Sequence, residues 1–93
     1  MAHSQMALEL LKVRLDRLAS DSSRDDYWRA RLDAADAELA KNGIHLRADD
    51  QADMMLLVDV TAWKHANRDS NAGMPEWLRL ARRERWLAER HDP

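Results

Sequence analysis

From Met54 to Trp63 the chain reads MMLLVDVTAW, broken only by Asp59 and Thr61. That run fits neither strand alternation nor a narrow amphipathic stripe, so it predicts a central helix, over about 50–67, covered by its neighbours. Before it, Leu8, Leu11, Leu15 and Leu18 fall at helical spacing and predict a first helix over about 5–18. Lys12, Arg14, Asp16 and Arg17 fall mostly on its other side, and Ser4 is a candidate N-cap. Leu10 and Val13 lie off the stripe, either as a widened core face or as a patch for another subunit. A second helix, over about 23–42, carries Trp28, Leu32, Ala35 and Leu39 on one face, with Ala30, Ala34 and Ala37 beside them. Such a small-residue flank would let another helix approach closely. Ser22 and Asp25 approximate a capping box at its start. After RDSNAGM, at Arg68 to Met74, Pro75 suits the first position of a fourth helix over about 75–90. There Trp77, Leu80, Ala81 and Leu87 are expected to face the core, with Leu78 and Trp86 turned toward solvent. The pattern as a whole predicts an all-α bundle of four helices around a buried third.

The connections add local detail. Asn42-Gly43 offers a left-handed glycine just past the second helix, and Ile44 then falls where a Schellman ending would lay it against Leu39. Asp49 or Asp50 should cap the third helix. Trp63 is expected to fill the largest hole in the bundle. Asp59, set among Leu56, Leu57, Val58 and Val60, must reach solvent, pair with a base such as an arginine, or be partly protonated.

Composition agrees with helices: 45% hydrophobic and 34% charged residues come with only 2 glycines and 2 prolines. A chain of 93 residues has room for one domain and one modest core. With Cys 0 there is no thiol chemistry, and the opening MAHSQMALELL predicts no secretory leader. No apolar run approaches membrane-spanning length. The net charge of -2 conceals a division, with Asp49, Asp50 and Asp53 at the front of the third helix and Arg79, Arg82, Arg83, Arg85 and Arg90 in the last. Glu76, Glu84 and Glu89 partly offset those arginines, and a nucleic-acid role would call for a cleaner basic patch.

No catalytic chemistry is legible. His3, His45, His65 and His91 lack the paired spacing of a zinc site and read as surface residues. Gly43 and Gly73 stand alone, so there is no phosphate loop, and no pair of carboxylates is fixed across a cleft. The expectation is therefore a protein without cofactor or metal that is not an enzyme.

The order of parts carries a likeness. A second helix closes on KNGIHL, an acidic cap follows, a long apolar helix ends in WKHANRD, and GMPEWLRL opens an arginine-rich helix. This resembles the small head–tail connector proteins of tailed bacteriophages and prophages, most sharply at Asn42-Gly43-Ile44, Trp63 to Asp69 and Gly73 to Arg79. The resemblance implies an all-α subunit of a ring, commonly dodecameric, beneath the portal in the virion neck and in host cytoplasm during assembly. It further implies a seat for a tail or stopper protein and a lumen that DNA passes without sequence-specific binding. Candidate contact residues, chosen from their chemistry, are Arg68, Asp69, Trp77, Arg79, Arg82, Arg83, Arg85 and Trp86, with Gly43, Ile44, Trp63 and Pro75 as structural positions. An acidic helix start on one subunit and an arginine-rich helix on the next could supply complementary surfaces. A small helical DNA-binding regulator is the alternative. LLKVRLDRL also looks superficially like the opening of helical chorismate mutases.

Overall fold

The structure, a computed structural model, describes residues 5–15 and 22–91. Four helices follow in order: α1 (Gln5–Arg14), α2 (Asp25–Lys41), α3 (Gln51–Ala66) and α4 (Glu76–His91). No strand occurs among the described residues, and the all-α bundle expected from the sequence is what forms. The Cα atoms extend 40 × 32 × 19 Å. The short dimension is about two helix diameters, so the elements lie in two layers.

Three helices make the core. Ala7, Leu8 and Leu11 of α1 and Trp28, Leu32, Ala35 and Leu39 of α2 close on Met54, Leu57 and Val58 of α3, all of them buried. Thr61 is buried with them, its hydroxyl donating to the Leu57 carbonyl at 2.7 Å, which satisfies the one polar atom that side chain brings. Asp59 takes the second of its three options and pairs with Arg14, on the strip of α3 that also carries exposed Met55. Trp63 lies on the same edge and is only half-buried, so it does not fill the largest hole; Trp28, 2% exposed, is the tryptophan inside. Periodicity explains the correction, since Trp63 follows Asp59 by four residues and shares its face.

The helix ends follow their local chemistry, with two departures. Past Lys41, Gly43 takes φ +87°, its N–H donates to the Ala40 carbonyl at 3.0 Å and the Ile44 N–H to the Leu39 carbonyl at 2.9 Å. Those two bonds are the Schellman pattern, and Ile44 and Leu39 are both buried. Asp50 caps α3 by accepting from the Asp53 N–H at 3.1 Å. The capping box expected at Ser22 and Asp25 does not form: α2 is capped by Arg24, which makes no side-chain cap bond. Along α1, Lys12 is buried instead of solvated, because its ammonium reaches Asp25 at 3.0 Å. Ser4, Asp16, Arg17 and Leu18 lie outside the described residues.

Candidate functional site

The last helix is built unlike the other three. Trp77, Leu80, Ala81, Leu87 and Ala88 gather on one side of it, while Arg79, Arg82 and Arg90 stand with Leu78 and Trp86 on the other, and Arg83 and Arg85 border the two. Yet the helix does not lie on the core with its apolar side down. Leu78, expected to face solvent, is 0% exposed and is the only residue of α4 that is fully enclosed. Trp77 at 52%, Leu80 at 51% and Leu87 at 37% are exposed, against the expectation that they pack inward. Ala81 does pack on the core, in part.

What turns the helix is a set of polar bonds. Arg85, about one turn beyond Ala81, points the same way as Leu78 and sends its guanidinium to Asp53, with Nε to Oδ1 at 2.8 Å and Nη2 to Oδ2 at 3.2 Å. Nη2 also donates to the His45 carbonyl at 2.8 Å. Asp53, buried in the first turn of α3, accepts from the Arg47 N–H at 2.9 Å with its second oxygen. Glu89 accepts from the His45 N–H at 2.9 Å, and Arg90 donates to the Gly43 carbonyl at 2.9 Å while its guanidinium lies 4.1 Å from the centre of the Trp86 ring. The link between α2 and α3 thus has its backbone groups at residues 43, 45 and 47 bonded by charged side chains. A segment with no secondary structure needs such partners. Gly43 fits the arrangement twice over: besides its positive φ, a Cβ there would stand 2.5 Å from Arg90 Nη2 and 3.1 Å from Trp86 Nε1.

The electrostatics match the geometry. Hydrogen bonding to Asp53 raises the Arg85 guanidinium above its ordinary value, although burial opposes it. Burial likewise pushes the Glu89 carboxyl up, but its bonds with the His45 backbone and ring and with Arg90 outweigh this and bring it from 4.5 to about 2. His45, Arg47, Asp50, Asp53, Arg85, Ala88 and Glu89 line a cleft of about 350 Å³ that these bonds already occupy chemically.

The residues singled out from the sequence fall into separate places. Arg79, Arg82, Arg83 and Trp86 come together with Asn42 and Ile44 around a shallow groove of about 220 Å³. None of the three arginines pairs with a carboxylate among the described residues; Arg82 donates to the Met74 sulfur at 3.6 Å. Arg79 and Arg83 also flank Leu80 and Glu76 on the outer side of the helix. Arg85 turns the other way, into the bonds with Asp53, so this part of the acidic and basic pairing is made within the chain. Arg68 donates to the His65 carbonyl at 2.6 Å and lines a different cleft with Arg31, Trp63 and Lys64, and Asp69 is exposed in the same loop. Pro75 stands immediately before α4, and its carbonyl accepts from Leu78 and Arg79.

Sequence reasoning missed Asp53, His45, Glu89 and Arg90 as the groups that hold α4. The signal was present in the link itself, whose backbone donors and acceptors had no partners in any helix. His65, read as a surface residue, is half-buried, edge-on to Trp28 with ring centres 5.0 Å apart. His91 and the His45 ring are exposed, and His3 lies outside the described residues. Compared with protein-family models, with curated proteins and with solved structures, the chain matches none of them.

Proposed function

We propose that this chain is a structural virion protein, a ring-forming adaptor between the portal of a phage head and the tail or stopper, lining the channel through which DNA passes. The observation that carries the proposal is the posture of α4. A helix that leaves Trp77, Leu80 and Leu87 exposed and keeps Arg79, Arg82 and Arg83 without carboxylate partners among the described residues spends its contact chemistry outward. Trp and Arg are the residues most enriched where protein contacts carry their energy. The polar clamp fixes that posture, so the surface is preformed. The resemblance to head–tail connectors, in the order of its segments, supplies the assembly in which such a surface serves. A net charge of -2 suits a lumen that DNA must leave freely.

The test is to mix the purified protein with the portal encoded in the same genome and image the mixture by negative stain. A ring seated on the portal is expected. The paired Arg82→Glu and Arg83→Glu variant should lose portal binding or the ring while keeping its helical circular dichroism; unchanged assembly would remove this surface from the proposal. The three arginines without carboxylate partners among the described residues favour one other reading, a small DNA-binding protein. It calls for salt-dependent retardation of duplex DNA, which the adaptor should not show at physiological salt.

A further inference from the structure

The groove between the end of α2 and the last helix is walled by groups that donate. Arg79, Arg82, Arg83 and Trp86 stand at i, i+3, i+4 and i+7 on one face of α4, with Asn42 and Ile44 completing the wall. Among the described residues no carboxylate lines this groove or pairs with its three arginines. Arg82 is the least satisfied of them. Its Nη1 donates to the Met74 sulfur, a weak acceptor, at 3.6 Å, and its enclosed Nε has no acceptor among the described residues. Buried donors left in that state are costly and rare in native proteins. The negative pole of α2 does not answer the charge either. That pole amounts to about half an elementary charge, and Lys41 already stands in the last turn, so most of the charge on three arginines stays unneutralised.

We infer that this groove receives an acidic segment of a partner protein, its carboxylates held by Arg79, Arg82 and Arg83 and an apolar side chain beside them resting on Trp86. Arginine forks match carboxylates two bonds at a time, and such charge-assisted bonds are about twice as strong as neutral ones. Arg82 turns from the thioether to the incoming carboxylate, which offers its fork the acceptors that sulfur does not. Trp86 is 39% exposed, and its ring is held from one side by the Arg90 guanidinium, so the apolar wall is in place before the segment arrives. The observations favour protein over nucleic acid as the source of the anion. The chain has a pI of about 6.0, against more than about 9 for nucleic-acid-binding domains. From Arg79 to Arg83 the cations occupy about 6 Å of helix axis, a spot and not a stripe that could follow a phosphate backbone. Glu76 and Glu84 are exposed on the same helix and would repel such a backbone on either side of that spot. Only the identity of the partner, a neighbouring virion protein, rests on the adaptor reading above.

The probe is a synthetic Glu-Glu-Leu-Glu-Glu peptide, titrated to millimolar concentration into the isotope-labelled full chain while NMR follows the indole N–H of Trp86 and the Nε–H of Arg82. Saturable movement of both signals is expected, with none from the Gln-Gln-Leu-Gln-Gln analogue. The paired Arg82→Gln and Arg83→Gln variant should raise the peptide Kd at least about tenfold. Arg79→Gln, a change at an exposed side chain that folding does not depend on, should raise it in the same direction. Arg31→Gln removes a cation from the separate cleft beside Trp63 and should leave the Kd unchanged. Silent signals at millimolar peptide, equal binding of the glutamine analogue, or movement with a short DNA duplex and not with the peptide each overturn the inference. The ring reading is judged separately on the portal: a ring seen there with a silent peptide would sink only this groove, whereas peptide binding without a ring would sink the adaptor and leave the groove standing.

Discussion

The three-helix core and the attachment of α4 are two ways of holding helices together, and the molecule uses them side by side. Between α1, α2 and α3 the contact is leucine, alanine and methionine with one buried tryptophan, which is stabilised by removing apolar area from water and is indifferent to pH. Between α4 and the rest, one enclosed leucine is joined by Arg85, Glu89 and Arg90 bonding to Asp53 and to the link backbone. Apolar packing is tolerant of direction. Charged hydrogen bonds are not, and here they dictate a posture in which α4 leaves much of its apolar side to solvent.

The comparison can be broken at its strongest point first. Leu57→Ala, at a position 0% exposed in α3, should cost roughly 3–5 kcal/mol and lower the single thermal transition of the whole domain. Arg85→Ala leaves Asp53 buried without its partner and should cost roughly 3 kcal/mol, and its effect should be local. Hydrogen exchange is expected to show the α4 amides losing protection while those of α1 to α3 keep theirs; uniform loss would merge the two regions into one.

How much of this was legible from the sequence depends on which of the two attachments is asked about. The core was legible because burial and helical period coincide there: Trp28, Leu32, Ala35 and Leu39 form one stripe, and each is buried. The Schellman ending and the Asp50 cap were legible because a glycine and a short acid act within a few residues of themselves. The posture of α4 was not. Its stripe of Trp77, Leu80, Ala81 and Leu87 has as good a period as any in the chain, but orientation was decided by Asp53, 32 positions from Arg85, and by unpaired backbone in a distant link. The same blindness placed Lys12 on the side away from the core and Trp63 inside. Of the eight contact candidates, Arg79, Arg82, Arg83 and Trp86 share a groove, while Arg85 is engaged inward and Arg68 and Asp69 sit in another loop.

Two smaller tests sharpen the picture. Gly43→Ala touches both regions, since it strains the end of α2 and collides with Arg90, and should cost about 1–2 kcal/mol in a denaturant melt. The smallest effect is the pH dependence of Glu89. Its carboxyl is held at about 2 against an ordinary 4.5, so its stabilising contribution is whole above 4.5 and is lost as pH falls toward 2. The melting temperatures of the wild type and Glu89→Gln should therefore differ most near neutrality and converge in acid. A gap that widens on acidification would mean the carboxylate is not what holds the link.

The placement of the indoles has an optical consequence. Trp28 is enclosed in the apolar interior, whereas Trp86 lies at the far end of α4 beneath a guanidinium, and both belong to a chain with 4 tryptophans and 1 tyrosine. A Trp28-only chain should emit at the blue end of the indole range, and a Trp86-only chain to the red of it, its ring half open to water. Each would brighten or shift only when its own neighbourhood loosens, so two single-indole proteins in a fluorimeter can time separately the melting of the interior and the release of the last helix.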